Sequence, residues 1–162
     1  MADILFRKMT KEDVPQVYQL EVASFRTPWS EKSLLGECRN RLAHYGVLTD
    51  GEEIVAYGGM WIVMEEAHIT NIAVKPDRRR QGLGRRLMRE MMCLALQKGA
   101  AAMTLEVRET NFAAQELYWQ CGFTQAGRRK RYYSDTGEAA FILWKEGLQN
   151  VSDLVNTEEN KL

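Results

Sequence analysis

Three groups in this chain have residue types and spacings that could do chemistry. Arg79-Arg80-Gln81-Gly82-Leu83-Gly84 follows an apolar run at 69–74 and precedes a helix-like stretch beginning near Leu83. A strand that empties through a glycine-bearing turn into a helix start can hold a phosphate, because the first helical turn offers unpaired amides and about half a positive charge. Gly82 and Gly84 let those amides approach an anion, and Arg79, Arg80, Arg85 and Arg86 add positive charge around them. Glu106 lies in the strand-like run 103–107, where alternation sends Leu105 and Val107 to one face and Glu106 to the other. Tyr118 sits on a helical stretch opened by Asn111. Each group also has a plainer reading: a solvated basic face, a surface carboxylate paired with Arg108, and a core tyrosine on an amphipathic helix.

The loop's spacing narrows the phosphate ligand. A nucleotide P-loop needs Gly-Lys-Ser/Thr, and here Arg85 and Arg86 follow Gly84. A dinucleotide fingerprint needs a third glycine where this chain has Leu87, and its strand should open the fold, whereas a long segment precedes this one. Neither class fits.

The elements that must position these groups follow from periodicity and breakers. A strand from Ile4 to Met9 leads to a capping box at Thr10 and Asp13, then to helical spacing through Val14, Val17, Tyr18 and Glu21. Pro15 requires that helix to start close by. Pro28 and Trp29 break the chain, and Ser30 caps a second helix through Arg39. Strands at 43–49 and 53–64 flank an Asp50-Gly51 hairpin turn, and a third strand at 67–74 completes a meander. A helix at 83–98 ends at Gly99; a buried strand at 103–107, a helix from Asn111 to Gly122 and strands at 124–131 and 138–145 complete the order. The crossover helix makes 103–107 parallel to 67–74.

The loop resembles the acyl-coenzyme A pyrophosphate loop of the GCN5-related N-acetyltransferases, whose pattern is Arg/Gln-x-x-Gly-x-Gly/Ala. The element order resembles that family over about residues 3–146. Further segments resemble its ribosomal-protein-alanine N-acetyltransferase branch: Pro28-Trp29-Ser30, Asn71-Ile72-Ala73-Val74, 105–108 with Asn111, Leu117-Tyr118 before Gly122-Phe123, and Tyr132-Tyr133. The implied fold is mixed α/β: one domain at 1–147 with a mostly antiparallel seven-stranded sheet, a splayed parallel pair and about four helices, and a C-terminal tail at 148–162. In that tail Leu148, Val151, Leu154 and Val155 keep helical spacing.

The resemblance also implies roles. The backbone of Ile72, Ala73 and Val74 would pair with the pantetheine arm of acetyl-CoA, while Arg79, Arg80, Gln81, Gly82, Leu83, Gly84 and Arg85 hold its pyrophosphate. Asn111 would orient the cofactor and Glu106 would be the general base. Tyr118 would protonate the departing thiolate, and Phe25, Pro28, Trp29, Tyr132 and Tyr133 would bind a peptide N-terminus. The implied reaction is direct transfer of acetyl to the α-amine of a protein N-terminus, the N-terminal alanine of a small-subunit ribosomal protein foremost. Removing a proton from an α-amine at pH 7 costs roughly 1 kcal/mol, against about 4.5 for lysine, so a carboxylate of modest basicity suffices. Acetylation of a small-molecule amine or a lysine, and a non-catalytic acyl-CoA sensor, remain open beside it. The family pattern often carries a second acid after the position of Glu138, where this chain has Ala139.

Composition sets the remaining bounds. Lys+Arg and Asp+Glu each number 22, so no global field recruits nucleic acid or an anionic membrane. Local segregation persists in Arg128-Arg129-Lys130-Arg131, read as a solvated strand edge. Three cysteines without paired spacing, and His44 and His68 in separate strands, indicate neither a disulfide framework nor a metal site. With no signal-like N-terminus and no apolar span, the expectation is a cytoplasmic enzyme, monomeric or weakly oligomeric.

Overall fold

The computed structural model describes residues 3–148. Its strands are β1 (Ile4–Lys8), β2 (Ala43–Asp50), β3 (Glu53–Val63), β4 (Glu66–Val74), β5 (Ala102–Arg108), β6 (Thr124–Arg129) and β7 (Ala140–Lys145). Its α-helices are α1 (Val14–Ser24), α2 (Glu31–Glu37), α3 (Leu83–Gln97) and α4 (Phe112–Gln120). The sheet order is β1-β2-β3-β4-β5-β7-β6, mixed as expected, with β4 and β5 parallel through Glu66↔Ala102, Ala67↔Met103 and His68↔Thr104. By contacts the described residues form two compact units, 3–61 with 70–87 and 62–69 with 88–148.

In the first unit, Met9, Val14, Val17, Leu20, Leu34, Val47 and Tyr57 are buried in one apolar cluster. A short 3-10 turn, Lys11–Asp13, precedes α1, and Pro15 falls in the first helical turn, where its missing N–H costs no bond. Asp13 accepts from the Thr10 amide at 2.8 Å and takes the Arg7 guanidinium on both oxygens at 2.7 and 2.8 Å. That guanidinium holds the Asp13 carboxyl below the usual range. Ser30 Oγ accepts from the Ser33 amide at 3.1 Å and opens α2. The helix stops at Glu37 rather than Arg39, because the amides of Cys38, Arg39 and Asn40 bond to carbonyls three residues back. The β2–β3 turn is Gly51-Glu52, one residue later than expected. Asp50 stays in the ladder opposite Glu53, and Gly51 takes the left-handed conformation at φ +62°.

In the second unit, Met88, Met91, Met92 and Ala95 of α3 are buried, as are Met103, Leu105 and Val107 of β5 and Leu143 of β7. Both helices end as the glycines foretell: Ala100 N bonds to Ala95 O at 2.9 Å past Gly99, and Phe123 N to Tyr118 O at 3.0 Å past Gly122. β6 ends at Arg129 rather than at 131, and β7 begins at Ala140 rather than at 138. Arg131 adopts φ +54°, and a turn closed by Tyr133 N to Glu138 O at 3.1 Å takes the residues between. Leu148 is buried, with its amide on Ala101 O at 3.1 Å; Val151, Leu154 and Val155 lie outside the described residues.

Candidate active site

The glycine loop in the first unit has the backbone an anion site requires. Arg80 (φ +65°) and Gly82 (φ +78°) are both left-handed, and the first α3 bond runs from Arg86 N to Gly82 O at 3.0 Å. The amides of Leu83, Gly84 and Arg85 therefore precede the first helical donor. A Cβ built on Gly82 would meet no atom within 4 Å, so no side chain of the described residues crowds the backbone at that point before the helix. Two cations upstream are already spent on the β2–β3 hairpin: Lys75 Nζ lies 2.5 Å from Glu53, and Arg78 Nη2 lies 2.9 Å from Asp50. Arg79 donates through Nε to the Val74 carbonyl at 3.3 Å. Along the upper part of β4, Asn71 and Ala73 are buried, while Thr70, Ile72 and Val74 are half-buried.

The first unit also holds a buried carboxylate that the sequence reading used only as a helix-spacing mark. Glu21 is 1% exposed. It accepts from the Trp29 amide at 2.8 Å, from Asn71 Nδ2 at 2.9 Å and from the Tyr57 hydroxyl. Tyr45 donates in turn to Asn71 Oδ1 at 2.9 Å and lies 3.0 Å from Thr70 Oγ1. Burial pushes both tyrosines well above their ordinary pKa, so the two phenols stay protonated throughout the working range. Of the expected peptide-contacting residues here, Trp29 packs on the apolar cluster and Pro28 is half-buried, while Phe25 is 38% exposed.

The second unit gathers Glu106, Tyr132 and Tyr133. Alternation on β5 holds: Leu105 and Val107 are buried, and the Glu106 side chain is 16% exposed on the other face. Its partner is not Arg108 but His68, whose Nε2 stands 2.7 Å from Glu106 Oε2. That hydrogen bond raises the His68 pKa. Both residues line a pocket of about 380 Å³ with Thr104, Arg129, Ile142 and Trp144.

Arg108 instead braces the turn after β6. It donates to Asp135 at 2.8 Å and to Glu138 at 3.5 Å, and its guanidinium lies 3.9 Å from the centre of the Tyr133 ring. The Glu138 carboxylate also caps the Thr110 amide at 2.8 Å. Tyr133 packs edge-on against Tyr132 at 5.0 Å. Burial first, and then the negative charge of Glu106 among smaller causes, raise both phenols, Tyr133 to about 12.

Tyr118 is buried on α4, packed edge-on against Phe123 with ring centres 5.9 Å apart, and burial raises its pKa well above 10. Asn111 Oδ1 accepts from the Ala114 amide at 3.2 Å, so its cap is formed. Within the basic run, Arg128 pairs with Glu109 at 2.8 Å and Arg129 lies 5.9 Å from the Tyr132 ring. His68 and Glu21 are the two residues that sequence reasoning missed. The parallel β4/β5 pairing, which it did expect, could have drawn His68 toward Glu106.

Comparison with known proteins places the chain in a family. The model of the acetyltransferase (GNAT) family matches residues 14–123. A Bacillus subtilis (strain 168) protein, provisionally named a [ribosomal protein bS18]-alanine N-acetyltransferase, is 45% identical over 139 residues, covering 85% of this chain and 92% of its own. The [ribosomal protein bS18]-alanine N-acetyltransferase of Escherichia coli (strain K12) is 38% identical over 133 residues, covering 81% and 89%. The crystal structure of the ribosomal-protein-S18-alanine N-acetyltransferase from Escherichia coli superposes with a TM-score of 0.82 at 34% identity, covering 89% and 94%. The glycine loop, the sheet order and these relatives converge, and the chain belongs to the acetyltransferase (GNAT) family.

Proposed function

We propose that this protein transfers the acetyl group of acetyl-CoA to the α-amine of a protein N-terminus, the N-terminal alanine of ribosomal protein bS18 foremost. The observation that carries the reading is Glu106, a half-buried carboxylate opening on a pocket in a chain 38% identical to the Escherichia coli enzyme named for that reaction. The reading takes 1–147 as one catalytic domain working in the cytoplasm, where ribosomal proteins are made. No helix among the described residues is long and apolar enough to cross a membrane.

Acetyl-CoA supplies an activated acetyl thioester. On this reading Leu83, Gly84 and Arg85 offer amides to its diphosphate, with charge from Arg79 and Arg80, and Ile72 to Val74 offer strand backbone to its pantetheine arm. Glu106 accepts the amine proton. An α-amine, with pKa about 7.7–8.0, is already partly neutral at pH 7, so a carboxylate can serve as base where lysine would demand more. Tyr118 would serve as the hydrogen-bond donor to the leaving sulfur. Its raised pKa keeps it protonated, and full transfer to the thiolate, whose conjugate acid has a pKa near 8.5, would become favourable only if the thiolate is desolvated as well. Asn111 orients the cofactor from the start of α4. Phe25 and Tyr132, the most exposed aromatics among the expected peptide contacts, meet the peptide.

Intact-mass analysis tests the reading. The protein is incubated with acetyl-CoA and an Ala-starting peptide, its N-terminally blocked twin containing lysine, or a free polyamine. One added acetyl group on the free Ala peptide alone is the expected result. Acetylation of the blocked peptide or the polyamine would transfer the protein to lysine or small-amine chemistry, and no acetylation with intact cofactor binding would make it a sensor.

A further inference from the structure

The β4/β5 register sets His68 opposite Thr104, and residues two apart on a strand share a face, so Glu106 stands on the His68 side of the sheet. The two side chains close that diagonal at 2.7 Å. The pair has a dry end and a wet end, for the Glu106 side chain is 16% exposed and that of His68 is 44% exposed. Both ends border the same pocket. A carboxylate that collects a proton in a half-closed pocket needs a route to return it, and among the described residues the His68 imidazole is a titratable group hydrogen-bonded to it. We propose that His68 is the positioning and proton-accepting partner of Glu106, a role that rests on Glu106 being the base.

The proton balance is simple. As the amine nitrogen bonds to the acetyl carbon, its N–H bond breaks and the proton passes to a Glu106 oxygen. Neutral His68 in its Nδ1–H tautomer accepts that proton at Nε2, which restores the carboxylate; the imidazolium then gives up its Nδ1 proton to water at its exposed side, and exchange with water returns the ring to the Nδ1–H tautomer. No other reactant is required.

The groups around the ring set the direction of its pH dependence. Glu106 from β5 raises the His68 pKa and Arg129 from β6 opposes it; β7 contributes the uncharged Ile142 and Trp144, and Glu66 lies two residues earlier on β4, exposed. Tyr132 and Tyr133 sense Glu106 and remain protonated. Below the raised His68 pKa the imidazolium holds Glu106 by charge and can accept nothing. Above it the relay is open, so turnover rises with pH through this titration.

The test is the pH profile of kcat for the Ala-starting peptide, measured on the full chain and on His68→Gln and His68→Asn. Both variants replace a half-exposed ring, and circular dichroism checks their fold. Either should lose about tenfold in kcat at pH 7 with the KM for acetyl-CoA changed less than about twofold. The acid limb belonging to His68 should vanish, leaving only the limb of the peptide amine. In parallel, the His68 imidazole is titrated by NMR; only His44 accompanies it in the sequence. Its pKa should match the lost limb and fall in Glu106→Gln. An unchanged limb in His68→Gln, with or without a loss of rate, would overturn the proposal, as would a His68 titration indifferent to Glu106→Gln. A wild type that acetylates no peptide would sink the function reading first, and the relay with it.

Discussion

The two units each hold a carboxylate near aromatic residues, and the two carboxylates have opposite surroundings. Glu21 is sealed, and its donors are a backbone amide, a side-chain amide and a phenol held protonated by burial. Nothing in that set exchanges a proton near neutrality. Glu106 is half-open, and its hydrogen-bond partner among the described residues is an imidazole with a wet side. A buried carboxylate whose oxygens are fully engaged fixes position, here of Trp29 after α1 and Asn71 on β4. One with a titratable partner and a pocket can do chemistry. If Glu106 is the base, burial alone would have singled out the wrong acid.

Glu106→Gln gives the sharpest division. It should lower kcat about 100-fold or more while leaving the melting temperature close to the wild type, because only a half-exposed contact to His68 is altered. A variant retaining more than a third of the wild-type rate would remove Glu106 as base. Tyr118→Phe should lower kcat roughly tenfold with acetyl-CoA affinity, measured by calorimetry, changed less than about twofold. Equal turnover would reduce Tyr118 to the packing partner of Phe123.

Glu21→Gln reverses the pattern. It sets an amide N–H₂ among donors, so urea titration should show a loss of about 2–3 kcal/mol, while kcat at saturating peptide stays near the wild type. Unchanged stability would mean the network is not what holds Trp29 and Asn71. Asn111→Ala should cost about 1 kcal/mol through the lost cap of α4; a larger loss of acetyl-CoA affinity than of stability would confirm that the asparagine also meets the cofactor. The smallest effect concerns stability against pH. Because its folded pKa is raised above the ordinary 6.5, the His68 contribution is fully present below that value and fades as pH rises through the folded pKa. Solvent screening keeps it small. Melts from pH 5.5 to 8.5 should show the slope in the wild type and not in His68→Gln.

Much of this arrangement was legible because local signals carry it. Thr10, Ser30 and Asn111 start turns or helices, Gly99 and Gly122 stop helices, and alternation alone put Glu106 on the face opposite Leu105 and Val107. The strand ends around 130–138 were not legible, since Arg131 leaves the ladder through a left-handed φ that nothing in its residue type demands. Nor was the fate of either carboxylate. Glu21 takes donors from positions 29, 57 and 71, and His68 reaches Glu106 across a parallel pairing separated by a whole helix. Periodicity reports which way a side chain points; it says nothing of what arrives from elsewhere in the chain to meet it.

The brace formed by Arg108 bears on how such an enzyme could be retargeted. One cation on the central sheet fastens the β6–β7 turn through Asp135, Glu138 and the face of Tyr133. The turn thus behaves as a cassette with defined attachment points. If Tyr132 contacts the peptide as proposed, a library that varies Tyr132 and Ser134 while keeping those three anchors would sample new peptide selectivities without disturbing the strand that carries Glu106.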